Sequence, residues 1–306
     1  MTSHETVLLN EAVDALLFDP NGNYVDCTYG RGGHAQEIAN RISDKGRLMV
    51  IDKDVSAIED AKERFRDDDR VAVVHGTFAS LALYADEHEM RPLNGILLDL
   101  GVSSPQLDEA ERGFSFSKDG PLDMRMDQTG GVTAEQWLSN AEEGEITDVL
   151  RRYGEEKFAR RIARNIVSIR QEEKIQTTRK LVEIIDSAVP VKEKHKHPAT
   201  RTFQAIRIYI NSELNSLEEC LDDVVQLLVS GGRLVVISFH SLEDRIVKRF
   251  IRRMERDDTY PDRFPIRESE IKRYLKRVGK AIKPSKAEVD KNRRARSSIM
   301  RVAEKL

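Results

Sequence analysis

Three groups of residues in this 306-residue chain have the types and spacing to do chemistry. The first is the run Asp26-Cys27-Thr28-Tyr29-Gly30-Arg31-Gly32-Gly33-His34, with three glycines in four positions. Glycine lets a backbone pass close to a ligand, and the start of a helix presents N–H groups to it. A tight turn without a ligand is the alternative; three glycines held between a strand and a helix argue against it. Asp52 follows about 20 residues on, the spacing of an acid that accepts from ribose hydroxyls, whereas an ordinary strand-end acid needs no such spacing. Phe78, after Gly76-Thr77, can stack on an adenine, although a lone aromatic is more often core.

The second group starts at Asp99, which ends an apolar strand at the edge where open α/β sheets bind ligands. Asp99 can contact a cofactor or accept a proton. Ser103-Ser104-Pro105-Gln106 follows and offers hydroxyls and carbonyls, although serine and proline also make plain polar turns. His240 comes after a later strand and can reach the same crevice; it also fits the start of a helix, with Ser238 or Ser241 as the cap. The third group is basic. Lys192, Lys194, His195, Lys196, His197 and Arg201 form one run, and Arg293, Arg294 and Arg296 another. Both suit phosphates, and either one alone suits a solvated surface.

Two cofactors compete for the glycine turn. Gly30-x-Gly32-x-x-Ala35 fits the dinucleotide pattern with alanine in third place. S-adenosylmethionine is favoured. Asp26 ends the first strand, where an acid suits a cationic ammonium better than a pyrophosphate; only Arg31 is at hand to neutralise phosphate; and a short last strand follows a loop.

The elements that position these groups are legible as a rhythm. Strands are expected at Tyr24–Thr28, Gly46–Asp52, Val71–Val74 and Gly95–Leu100, with helices at His34–Arg41 and Val55–Phe65 between them. Strands alternating with helices imply a parallel, doubly wound sheet. From Leu107 the chain turns polar, and after Gly131 only helical periodicity is found. Thr133 to Gln136 resembles a capping box. Apolar residues at 146, 149 and 150, then at 158, 162, 166 and 169, mark two helices, and Thr178 to Ala188 a third. The α/β rhythm then returns: a helix over Ile208–Leu228, a turn at Ser230-Gly231-Gly232, a strand over Leu234–Ile237, a helix over Leu242–Met254 and a last strand over Ser298–Val302. One α/β domain in two parts, 1–106 and 211–306, is therefore expected around a helical insertion, 107–210.

Composition narrows the setting. Hydrophobic residues make up 39% and charged residues 34%, which suits a globular chain rather than a disordered one. There is no apolar run of about 20 residues and no basic-then-apolar start, so neither a membrane span nor a secretory signal is expected. Cys27 and Cys220 match no metal spacing, and no metal is expected; a reduced, cytoplasmic protein is. The net charge of −3 is unevenly spread, because 13 Lys/Arg against 3 Asp/Glu fall between Lys272 and Leu306. Such asymmetry suggests an anionic partner.

At Leu97 to Asp108 the sequence resembles the ribosomal RNA small subunit methyltransferase H family. The resemblance extends in order through His4–Leu9, Asp26–His34, Glu111–Phe116, Asp119–Met126, Lys196–Gln204, Ile237–Arg245 and Asn292–Ser298. It implies a Rossmann-like class I S-adenosylmethionine methyltransferase sheet with an inserted all-helical domain for substrate recognition. It implies cofactor contacts at Gly32, Gly33, His34, Asp52, Phe78, Asp99 and Gln106. The implied reaction is methyl transfer to the exocyclic N4 of a decoding-centre cytosine in 16S rRNA. The implied partner is that RNA in the small ribosomal subunit, with no membrane; whether the chain works alone or as a homodimer is left open. Ser103-Ser104-Pro105-Gln106 is similar to a degenerate Ser/Asn/Asp-Pro-Pro-aromatic loop of DNA amino-methyltransferases. It lacks the second proline and the aromatic, which leaves the residue that stacks on the target base open; Phe114, Phe116 and Phe239 are the candidates. Asp99, Ser103 and Ser104 are the candidates for contact with the acceptor, and no base is assigned. Methylation of ring carbon would need a cysteine nucleophile, and neither cysteine is placed for that. An NAD-dependent oxidoreductase and a non-enzymatic ribosome-assembly factor are the competing readings.

Overall fold

The computed structural model describes residues 6–191, 197–255 and 272–306. His4 and Glu5, and Lys192, Lys194, His195 and Lys196 of the first basic run, lie outside them. The chain divides into two compact units, Met1–Gly101 with Leu214–Leu306, and Val102–Glu213.

The first unit is built on a seven-stranded sheet. Its strands are β1 (Asn23–Asp26), β2 (Arg47–Asp52), β3 (Val71–His75), β4 (Leu93–Asp99), β5 (Leu228–Ser238), β6 (Leu275–Arg277) and β7 (Ile299–Lys305). Their order is β3-β2-β1-β4-β5-β7-β6. β3 to β5 run parallel, and β7 is antiparallel to both β5 and β6. Strands covered on both faces read as unbroken apolar runs, and side chains alternate between the faces. Leu48 and Val50 accordingly join one core with Leu97, Val235 and Ile237, under α1 (Leu9–Leu16), α2 (Gly33–Arg41) and α3 (Val55–Arg64). Met49 and Ile51 join the opposite core with Ile96, Leu98 and Val236, under α4 (Leu81–Glu87), α11 (Glu213–Leu227) and α12 (Ser241–Glu255).

The second unit is helical: α5 (Ser104–Asp108), α6 (Ala134–Asn140), α7 (Glu143–Gly154), α8 (Ala159–Ile169), α9 (Thr178–Ala188) and α10 (Ala199–Ile210). It has its own core, which includes Leu138, Ile146, Leu150, Ile162, Ile166, Leu181, Ile185, Phe203 and Ile206. Thr133 and Gln136 do form the capping box of α6: Gln136 N donates to Thr133 Oγ1 at 3.1 Å and Thr133 N to Gln136 Oε1 at 3.0 Å. The unit reaches beyond 107–210 at both ends. Val102 packs on its core, and Arg207 holds Glu213 through two hydrogen bonds of 2.8 and 2.9 Å.

Two local expectations are corrected. The helix expected over Ile208–Leu228 is two helices, α10 and α11, broken at Asn211-Ser212. Asn211 donates to Met124 O and accepts from Met126 N, which holds it in the neighbouring loop, and Ser212 takes a φ of 51°. Ser230-Gly231-Gly232 is not an isolated turn. It lies inside β5, which pairs with β4 first at Leu93↔Leu228 and then, after a register shift, at Gly95↔Arg233.

Candidate active site

The carboxyl ends of the parallel strands in the first unit carry a row of acids. Asp52 ends β2, Asp26 ends β1, Asp99 ends β4, and Glu243 sits in the first turn of α12, after β5. Asp26 is buried; its Oδ1 accepts from Thr28 N at 3.1 Å and its Oδ2 has no hydrogen-bond partner among the described residues. Thr28 Oγ1 in turn accepts from Asp99 N at 2.6 Å and ties the two strand ends together. Asp99 Oδ1 is likewise sealed and unpartnered. Burial pushes the Asp26 carboxyl up to about 7, and the neighbouring charge of Asp52 adds to the rise. Asp99 is pushed well above the usual carboxylate range by its own burial, then by Asp26 and Glu243.

The glycine turn wraps this floor. Gly32 has a φ of 72°, and a β-carbon on it would lie 2.5 Å from the Tyr29 hydroxyl; one on Gly33 would lie 1.8 Å from Thr6 Oγ1. Packing alone therefore requires glycine at both positions. Tyr29 is held by the Asp60 carboxylate and by Arg64 Nε at 2.9 Å, so its ring cannot yield easily. Asp52 Oδ2 accepts from Gly30 N at 2.8 Å and Oδ1 from Asp54 N at 2.8 Å, which fixes the carboxylate against the turn. Phe78 starts the short helical turn after β3, half-buried against the core.

His34 is buried at the second position of α2. Its Nε2 lies 3.1 Å from Val7 O and its Nδ1 3.7 Å from Asp99 Oδ2. A carbonyl can only accept, so Val7 selects the Nε2–H tautomer and leaves Nδ1 facing Asp99. The ring is thus held by Val7 O, with Nδ1 turned toward Asp99.

Glu243 is the site acid that sequence reasoning missed. It accepts from Phe239 N at 2.8 Å and His240 N at 3.2 Å, while Glu243 N donates to His240 Nδ1 at 3.4 Å. His240 and Glu243 therefore close the start of α12. A glutamate three residues after a cap is the signal that could have found it. Phe239 packs against the spot where a Gly101 side chain would begin, with its Cδ2 3.5 Å away.

In the helical unit, Ser103 and Gln106 form a reciprocal capping box at the start of α5, with Ser103 N donating to Gln106 Oε1 at 2.9 Å. Gln106 is buried, and Ser104 and Pro105 make the first turn. Phe114 is buried too, whereas Phe116 stacks on His197 with ring centroids 4.8 Å apart.

The acid row decides the fit of a cofactor. Buried carboxylate oxygens without donors attract an ammonium and hydroxyls and repel a pyrophosphate. That suits S-adenosylmethionine and not a dinucleotide. The comparisons agree. The MraW methylase family matches residues 1–306. A protein named ribosomal RNA small subunit methyltransferase H in Pseudoalteromonas atlantica is 55% identical, covering 99% of this chain and 98% of its own length. The proteins of that name in Alteromonas mediterranea and Idiomarina loihiensis are 53% and 52% identical, each covering 99% of this chain and 97% of its own length.

This chain belongs to the MraW methylase family.

As a MraW methylase it is an S-adenosylmethionine-dependent methyltransferase, and the oxidoreductase reading falls. A solved rRNA methylase from Streptococcus thermophilus is a distant likeness: 11% identity, TM-score 0.41, 96% of this chain and 92% of that one covered. The fold rests instead on the strand order, with its antiparallel β7 between β5 and β6. No helix of the described residues is long and apolar enough to cross a membrane.

Proposed function

We propose that this methylase transfers the methyl group of S-adenosylmethionine to the exocyclic N4 of a decoding-centre cytosine in 16S rRNA of the small ribosomal subunit, in the cytoplasm. The full-length likeness to proteins named for small-subunit rRNA methylation carries this reading. Gly32, Gly33, His34, Asp52, Phe78, Asp99 and Gln106 hold the cofactor in it. The helical unit receives the RNA.

When bound, the cofactor supplies a methyl group already activated by its sulfonium, so the protein has little covalent work to do. Asp26 and Asp99 offer unpartnered carboxylate oxygens to the cofactor's ammonium and hydroxyl groups. Asp52, fixed by Gly30 N and Asp54 N, keeps lone pairs for a ribose. Ser103 and Ser104 present hydroxyl and carbonyl oxygens that can hold the two protons of an exocyclic amine. Holding them leaves more of the nitrogen lone pair for attack and fixes its line of approach. Ring-carbon methylation by a cysteine nucleophile is excluded on this chain's own residues, because Cys27 and Cys220 are buried in the core at 1% and 0% exposure.

The test is nucleoside digestion and mass spectrometry after reaction of undermethylated small subunits with labelled cofactor. N4-methylcytidine is the expected product. Either 5-methylcytidine or 2′-O-methylcytidine in its place would overturn the reading.

A further inference from the structure

Helix α12 buries Val247, Phe250 and Ile251 and turns Lys248 and Arg252 outward, one helical turn apart. The sheet edge formed by β6 and β7 and the loop after β6 face these two cations. Between them lies a groove of about 250 Å³. Five cations line it, Lys248, Arg252, Arg277, Lys280 and Arg301, against one acid, Glu255.

The charges do not balance. Arg301 is held by Asp244 in a two-pronged pair of 2.7 and 3.0 Å. Arg277 takes Glu255 at 2.9 Å. Lys248, Arg252 and Lys280 have no carboxylate partner among the described residues, and all three are exposed. The groove thus gathers onto one concave surface, from two different elements, three cations that no carboxylate of the described residues holds. The basic character continues along the chain: seven Lys/Arg and no Asp/Glu fall between Lys272 and Lys286. Exposed lysines on an edge strand are also a device against sheet-to-sheet pairing. That device does not account for Lys248 and Arg252, which sit on a helix and lean toward the same cleft.

Concave clusters of unpaired Lys and Arg suit a repeating row of anions. We propose that this groove is a phosphate track that grips the RNA backbone away from the reacting base. The proposal rests on the reading that the substrate is RNA. None of the groove residues belongs to the acid row. In the sheet, β6 stands three strand spacings from β4, roughly 15 Å at about 4.8 Å per strand. The track therefore positions a neighbouring stretch of the chain that carries the target and leaves the target base to other residues. It reads no sequence, because phosphate contacts carry none.

The test is salt-dependent binding of a labelled 16S rRNA fragment containing the decoding-centre helix to the full-length protein. The variant Lys248→Gln/Arg252→Gln/Lys280→Gln changes only exposed side chains. It is expected to flatten the slope of log affinity against log salt by about 2, at roughly 0.7 to 0.9 per lost phosphate contact, and to weaken binding about tenfold or more at near-physiological salt. Its affinity for S-adenosylmethionine stays as in the parent. Lys45→Gln/Lys62→Gln, on the far side of the sheet, removes charge without moving the slope. Replacing Lys248 and Lys280 by Arg keeps it. An unchanged slope in the triple variant overturns the track, and so does an equal change in the Lys45/Lys62 control. The assay needs no methyl transfer, so the two readings fail separately. A flattened slope in a protein that yields no N4-methylcytidine removes the proposed reaction and leaves the track. N4-methylcytidine with an unmoved slope removes the track alone.

Discussion

Asp26 is where burial and function pull hardest against each other. Its Oδ2 is shut away from water with no hydrogen-bond partner among the described residues, and its carboxyl is pushed up to about 7. A buried acid whose folded value is raised binds its proton more tightly folded than unfolded. Between the ordinary carboxylate range, near pH 4, and about pH 7, the folded state therefore loses stability as pH rises. Asp99 and Asp52 are raised as well and act in the same direction. A cation beside Asp26 reverses its part of the balance, because it binds the ionised form. Cofactor affinity is thus expected to climb with pH and level off above pH 7, by up to about tenfold per unit below it. Asp26→Asn should flatten that climb, and titration calorimetry from about pH 5.5 to 8 checks it. A parent protein with pH-independent affinity would remove Asp26 from the cofactor's contacts. Asp52→Ala is expected to cost roughly 1–3 kcal/mol of cofactor binding, as expected for a lost charge-assisted hydrogen bond. The Asn variant keeps one acceptor for Gly30 N and should lose less.

At the scale of elements, α5 separates two roles that sequence alone leaves merged. Ser103 is the cap residue and Ser104 the first residue of the helix. Ser103→Ala is expected to cost about 0.5–2 kcal/mol of local stability along with transfer rate. Ser104→Ala should lower single-turnover transfer more than cofactor affinity. Equal transfer by Ser104→Ala and the parent would exclude its hydroxyl from the reaction. The same contrast explains what was legible beforehand. Strands such as β2 and β4 announce themselves because both faces are buried and unbroken apolar runs, Leu48–Ile51 and Ile96–Leu98, stand in them. β6 escapes notice because only Leu275 of its three residues is buried; its neighbours are exposed cations paired with Glu304 and Glu255. The break between α10 and α11 is hidden because the apolar period runs on through it, and only the tertiary bonds of Asn211 interrupt the helix. The candidate site divides likewise. Asp26, Asp52 and Asp99 are visible as acids at strand ends. The commitment of the His34 ring to Val7 and the presence of Glu243 depend on loops and helix starts with no period to betray them.

For the whole molecule, the two units have separate cores: the clusters under the sheet draw only on the first, the helical cluster only on the second. Replacing residues 102–213 with a Gly/Ser linker is therefore expected to leave a folded unit that binds S-adenosylmethionine and transfers no methyl group to small subunits. Circular dichroism, calorimetry and the transfer assay together decide it. Normal transfer by the shortened chain would show that the helical unit has no part in receiving the substrate.

The place of β7 has a consequence for the order in which the protein takes shape during synthesis. Ile299–Lys305 is inserted between β5 and β6 and pairs with both. Until those residues have been made, β5 lacks one neighbour and β6 has no place in the sheet. The helical unit, by contrast, is a single stretch of chain with all its core partners made before residue 214. Domains fold as units while synthesis proceeds. The insertion is thus free to fold while the sheet that flanks it in sequence is still open along one side. A chain stalled before Ile299 would expose the unpaired flank of β5, a template for pairing with another chain. The nascent protein is most exposed to aggregation in that interval, between the making of β5 and the arrival of β7.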